Sequence, residues 1–369
     1  MAKKIIYPNY EACITNAACS IMQHFGLQPP HKTLPFLDEI LQKNYKNVVM
    51  LVFDGLGAEI IKQNLPADSF LARHMQHTVT SVFPPTTTAA TTSLRSGLNP
   101  CEHGRIGYHV YISELKKIVT LFKNKIKDTD EVAAPYDVMT TLLPAEDITV
   151  KINRAGLYKA YGLFPFGEDA FENMEDMFER IRDLCRTSEK KYIYAYHEQP
   201  DELMHLKGTN APEVKKMISQ INTYVEKLAT EVRDTLIIVT ADHGHLNNQE
   251  IALQEEYPEF SRLIEGNISV EGRACSFRVM PENQAEFVRL FQQLFGKDFI
   301  LLSKKEVLEK QLFGDGKPHP NLEASLGDFL AIGIGEYFFE MHKRKVPMFS
   351  HHAGLLKDEM MVPLIIVEK

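Results

Sequence analysis

The 369-residue chain contains no apolar run approaching the roughly 20 residues that a membrane helix needs. Residues 1–26 carry Lys3 and Lys4 but no apolar run long enough for a signal sequence. The five cysteines (Cys13, Cys19, Cys101, Cys185 and Cys275) are scattered, odd in number and form no C-x-x-C pair. Together these absences predict reduced thiols, a cytoplasmic setting and no membrane partner. An excess of positive charge is also missing. The net charge of -8 argues against a nucleic-acid groove, so a duplex is not an expected partner. Lys116-Lys117 and Lys343-Arg344-Lys345 read as solvated faces. Internal repeats and low-complexity tracts are absent too. What is present is ordinary globular composition, 44% hydrophobic and 24% charged, enough for one large core or a core plus a smaller domain.

The stretch that organises the chain is Val48-Val49-Met50-Leu51-Val52-Phe53-Asp54-Gly55-Leu56-Gly57. A short, unbroken apolar run is what a strand buried on both faces looks like. Asp54 then sits at the carboxyl end of that strand, where open α/β sheets place ligands. Alone it would read as a turn residue, but similar layouts recur. A strand over 78–83 is stopped by Pro84-Pro85 and followed by a helix over 86–96, ended by Gly97 and Pro100. This puts Thr86, Thr87 and Thr88 at a helix N-terminus, where a hydroxyl can cap the helix or attack a phosphorus or carbonyl centre. A third strand over 191–196 runs into Asp201 and His205, four residues apart and so on one face of a helical turn. A fourth over 235–240 opens into Ala241-Asp242-His243-Gly244-His245. Adjacent Asp and His at a strand end, with Gly for close backbone approach, is a metal-site signal.

Other stretches supply packing. Helices are expected within 9–45, over 58–63, 136–142, 169–186 and 211–230, and a short strand over 148–152. Residues 251–345 change character, with strands over 276–280, 299–301 and 329–332 and a helix near 286–294. They predict a small α+β insertion that walls a cleft over a core of 1–250 and 346–369. Ser350-His351-His352-Ala353-Gly354 precedes a final strand over 362–367, in which Pro363 marks an edge or a strand start.

Gathered together, the polar groups at strand ends or beside them are Asp54, Thr87, Asp201, His205, Asp242, His243 and one histidine of His351-His352. Carboxylate and imidazole together suit zinc, or manganese if carboxylates dominate. One four-coordinate zinc cannot use so many donors. Two divalent ions roughly 4 Å apart can, and such pairs clamp the attacking and leaving oxygens of a displacement at phosphorus.

The order of these motifs resembles the alkaline phosphatase superfamily, and within it the nucleotide pyrophosphatase/phosphodiesterase branch. The matching pieces are Phe53-Asp54-Gly55, Phe83-Pro84-Pro85-Thr86-Thr87-Thr88, Ser96-Gly97-Leu98 with His103-Gly104, Pro200-Asp201-x-x-x-His205, Thr240-Ala241-Asp242-His243-Gly244 and His352-Ala353-Gly354-Leu355. They span nearly the whole chain. The resemblance implies a three-layer α/β/α sandwich with a mainly parallel central sheet and two zinc ions at its C-terminal edge. It implies Asp201, His205 and His352 at one ion, and Asp54, Asp242, His243 and the nucleophile Thr87 at the other. The family's spacing selects Thr87 among the three threonines and His352 over His351. The implied activity is metal-dependent hydrolysis of small phosphodiesters or pyrophosphates, nucleotide-like ones included.

One departure bears on nucleotides in particular. Ala89-Ala90-Thr91 stands where eukaryotic members carry Pro-Asn-His, whose asparagine holds a phosphate oxygen. The rivals within the superfamily are a phosphomonoesterase, a phosphonate hydrolase or a phosphosugar mutase. A monoesterase wants an extra cation, for which Arg95, Arg105 and Arg273 are the candidates. A sulfatase is disfavoured because no Cys-x-Pro-x-Arg segment exists. A dinucleotide-binding reading of Gly55-x-Gly57 fails because Ile60 holds the third Gly position. A binding protein without activity is disfavoured because all seven donor positions are filled.

Overall fold

The computed structural model describes residues 4–369. Three strands, Asn47–Phe53, Lys191–His197 and Thr235–Thr240, are buried at every residue. Continuous apolar runs can be buried this way only if helices cover both sheet faces, and they do. Helices Ile14–His24, Thr87–Ser96 and Ile148–Ala155 pack together as one layer. Ala58–Asn64, Phe70–His74, Met174–Arg186 and Pro212–Glu231 form the other. The result is an α/β/α sandwich with a mixed, mainly parallel sheet. Its six strands run in the order His77–Thr80, Met361–Glu368, Thr235–Thr240, Asn47–Phe53, Lys191–His197, Lys159–Leu163. Met361–Glu368 alone is antiparallel to its neighbours.

Several expectations shift. The segment expected as a strand over 148–152 is the helix Ile148–Ala155. Its buried residues, Ile148 and Ile152, are four apart, and Gly156 ends it at φ +75. Burial at helical spacing overrode the β-branched composition. The helix expected over 136–142 is only Val138–Leu142, and that over 169–186 is Met174–Arg186. The last strand is internal, so the edge reading of Pro363 does not hold. Nor does the strand-start reading: Pro363 is the third residue of the strand, already paired with Thr78 after Met361 and Val362, and only the pairing with Thr235–Thr240 begins after it, at Leu364.

A second, wholly antiparallel sheet lies against this core. Its seven strands run Phe299–Ser303, Phe329–Gly333, Ala274–Phe277, Ser269–Val270, His109–Ile112, Lys117–Thr120, Lys125–Ile126. Segment 251–345 therefore shares its sheet with three strands from 109–126, which the sequence reading placed in the core. A buried ion pair fastens the two parts. Arg273 Nε and Nη2 donate to Glu359 Oε1 and Oε2 at 2.7 and 2.8 Å, both side chains wholly buried. Glu359 also accepts from Gly354 N at 2.6 Å, which ties down the loop after His352. Bidentate geometry with the remaining polar atoms satisfied is what lets such a pair offset its desolvation.

Candidate metal centre and substrate cleft

The three central strands end within one residue of one another. Phe53 pairs with His197, and Val52 with Thr240. Asp54, the Glu198–Asp201 turn and Asp242 therefore leave the sheet at one carboxyl edge. Gly55 turns the chain at φ +73, and a Cβ there would lie 3.2 Å from Asp201 Cβ. Glycine is what lets those two segments come so close.

The first group is Asp54, Asp242 and His243, all buried. Thr87 stands beside them as the first residue of the ten-residue helix Thr87–Ser96. Its Oγ1 is 3.2 Å from Asp54 Oδ2 and 3.3 Å from His243 Nε2. His243 Nε2 is 3.2 Å from Asp54 Oδ1 and 3.5 Å from Asp242 Oδ2. Two donors held tetrahedrally on one zinc at about 2.0–2.1 Å stand about 3.3 Å apart. All four separations fit that spacing. Asp242 Oδ1 accepts from Gly55 N and His243 N, while its buried Oδ2 has no hydrogen-bond partner among the described residues. A buried, unpaired carboxylate oxygen calls for a cation. His243 Nδ1 lies 3.1 Å from Gly244 O, which can only accept, so Nδ1 carries the proton and Nε2 offers its lone pair inward.

The second group is Asp201, His205, His245 and His352. Asp201 and His205 lie on the helix Asp201–Lys207, one turn apart. Nδ1 of His205 is anchored on Ser350 O at 2.8 Å and that of His352 on Pro85 O at 2.9 Å. Both imidazoles thus aim Nε2 at Asp201 Oδ1, at 3.5 and 3.9 Å. Burial, above all, holds the His205 and His352 pKa values below the usual imidazole range, which keeps them neutral donors. Burial and then the charge of Asp201 push Asp54 up, and burial and then the charge of Asp54 push Asp242 up. Three carboxylates crowded out of water are stable as anions only beside compensating positive charge. The donors and the charge fit two divalent ions.

The structure thus brings together all seven residues singled out by sequence, with His352 in the second group. His351 is outside both groups; its Nδ1 accepts from His352 N at 2.9 Å. Three neighbours were missed. His245 was visible in the Asp242-His243-Gly244-His245 turn but had no assigned place. Tyr196 donates its phenol to Asp54. Glu271, buried, accepts from Thr86 Oγ1 at 2.6 Å, so the residue before Thr87 is held from the second sheet's side rather than capping its helix. The arginines named as spare cations are engaged elsewhere. Arg95 pairs with Asp147, Arg105 donates to Leu143 O and Met139 O, and Arg273 pairs with Glu359.

Both groups open into a cavity of about 450 Å³. One wall is the core edge; the other brings Tyr108, Phe122 and Lys127 from one segment and Glu271 and Phe339 from another. Residues 48–352 match the family model of type I phosphodiesterase / nucleotide pyrophosphatase. The chain belongs to this family. It is therefore a hydrolase of phosphoric ester bonds, of a metal-dependent kind. No curated protein matches the sequence. Among solved structures, murine ectonucleotide pyrophosphatase / phosphodiesterase 5 is similar, with 17% identity and a TM-score of 0.64 over 87% of this chain and 88% of that one. Phosphonoacetate hydrolase from Sinorhizobium meliloti 1021, in complex with phosphonoformate, shows 15% identity and a TM-score of 0.62 over 87% and 89%. At such identities the likeness is one of fold. No helix among the described residues is long and apolar enough to cross a membrane.

Proposed function

We propose that this enzyme hydrolyses small phosphodiesters or pyrophosphates with Thr87 as nucleophile and two divalent ions, zinc in the first instance, as cofactors. Asp54, Asp242 and His243 hold one ion together with Thr87; Asp201, His205 and His352 hold the other. The observation that carries this reading is the position of Thr87 Oγ1, at ligand spacing from both Asp54 and His243. When bound, the ions draw charge from the attacking and leaving oxygens. Thr87 Oγ1 forms its bond to phosphorus as the bond to the leaving oxygen breaks. Water then cleaves the phosphothreonine, and the hydroxyl is restored. The N-terminus of the helix Thr87–Ser96 turns its free N–H groups toward the phosphoryl oxygens. Tyr196 fixes Asp54, and the second sheet closes the cleft over the leaving group.

An AMP complex is known for an inactive variant of the murine relative, which supports nucleotide-like substrates. A second reading, cleavage of a phosphonate or another compound with a second anionic group, is favoured by Lys127. It lines the cleft 7% exposed, donates to Ile268 O at 2.9 Å and has no ion-pair partner among the described residues. The five cysteines are free and buried, in keeping with a cytoplasmic enzyme.

The test is Thr87→Ala. Turnover of bis-p-nitrophenyl phosphate is expected to fall at least about a thousandfold with both metal equivalents retained. Wild-type rates in that variant would remove Thr87 from the reaction. A preference of the wild type for p-nitrophenyl phosphate would replace the diesterase reading by a monoesterase one.

A further inference from the structure

The Asp201 group contains one imidazole more than its geometry can place on a single ion. His205 and His352 stand 3.5 and 3.9 Å from Asp201 Oδ1, near the separation of about 3.3 Å expected for two donors on one zinc. His245 Nε2 is only 2.6 Å from the same oxygen. That is a hydrogen-bond distance, too short for two atoms bound side by side to one cation. The outer nitrogens differ as well. Those of His205 and His352 each rest on a backbone carbonyl, whereas His245 Nδ1 is buried with no partner among the described residues. Were the His245 proton on Nδ1, a buried N–H would lack an acceptor, and two lone pairs would face each other across 2.6 Å. The proton therefore belongs on Nε2, pointing at Asp201.

We infer that His245 is a positioning residue, whose Nε2–H holds Asp201 Oδ1 and leaves the carboxylate's remaining lone pairs to the cation shared with His205 and His352. The inference rests on the two-ion reading above. It adds a physical link between the two groups. His245 lies on the same turn as Asp242 and His243, so the segment that supplies two donors to one ion also orients the carboxylate of the other. Hydrogen bonds of this kind typically affect metal affinity 10–100-fold.

The test is a zinc competition titration of the full-length enzyme, with metal content measured alongside. Wild type should hold two equivalents. His245→Ala should bind one of them about 10–100-fold more weakly and the other unchanged. His245→Gln, whose amide N–H can reach Asp201, should recover most of the loss, and His205→Ala should lose that ion outright. Two wild-type equivalents with both affinities unaltered in His245→Ala would overturn this inference alone. So would a loss as deep as that of His205→Ala, which would make His245 a ligand, or a Gln variant no better than Ala, which would make its role one of packing. Fewer than two equivalents in the wild type would overturn the two-ion reading and this inference with it.

Discussion

The two sheets acquire their strands in different ways. The central strands of the main sheet are seven, seven and six residues long, buried throughout and aligned so that they end within one residue of one another. The strands of the second sheet are two to five residues long, and its middle is one pairing, Val270 opposite His109, which are 161 residues apart in sequence. The first arrangement fixes donor atoms to within the tolerance of a coordination sphere. The second closes a wall over them and can change residue by residue without moving the donors. Core substitutions should therefore act on metal and turnover, and second-sheet substitutions on which substrate is used.

The largest expected effect is Asp242→Asn. Asp242 Oδ2 is the unpaired buried oxygen of the first group, and an amide nitrogen there would point N–H at the ion. Loss of one metal equivalent and a fall in kcat of at least about a thousandfold are expected. Metal analysis and steady-state kinetics check this; retention of two equivalents with near-normal kcat would break the comparison at its stronger half.

Next comes the joint between the sheets. Arg273→Met leaves Glu359 buried without its partner, which destabilises by about 3–5 kcal/mol. Urea unfolding of the apoenzyme measures it. A change below about 1 kcal/mol would mean that the parts are held by apolar contacts alone.

Lys127→Met is the sharper test of the second sheet. A hydrogen bond to a charged group contributes about 1.5–3 kcal/mol, so KM should rise at least about tenfold for a substrate with charge on its leaving group, such as a nucleoside triphosphate. KM for bis-p-nitrophenyl phosphate should not move. Equal changes for both substrates would show that the wall does not discriminate.

The same contrast decides what the sequence revealed. Strands buried on both faces must be continuous apolar runs, so Asn47–Phe53, Lys191–His197 and Thr235–Thr240 were visible, and with them Asp54, Asp201 and Asp242 at their ends. The helical period put His205 beside Asp201. The second sheet was only half legible because the 109–126 strands are short, pair locally with one another, and join the 251–345 strands only where His109 meets Val270. The strand expected over 148–152 failed because Ile148-Thr149-Val150 favours strands locally, while the fold buries Ile148 and Ile152 as a helical pair. Arg273 looked available because no local pattern announces an ion pair with Glu359, 86 residues on. His245 stood in plain view, yet spacing along a turn does not say where Nε2 points.

The smallest effect expected is at Phe122, the most exposed part of the wall. Phe122 is 48% exposed, lines the cleft and meets Tyr108 with ring centroids 6.1 Å apart at 60°. Solvent would strip so exposed a ring of most of its worth to folding, so Phe122→Ala should leave stability nearly unchanged. A planar aromatic leaving group can pack on this ring pair, which adds about 0.5–1.5 kcal/mol. KM for bis-p-nitrophenyl phosphate should then rise about threefold with kcat constant, because the contact is made equally in the bound substrate and the transition state. A dialkyl phosphate has no ring to stack and should show no change. If kcat falls instead, Phe122 orders the wall during the reaction, and the division between a donor-bearing core and a substrate-choosing wall is less clean than the two sheets imply.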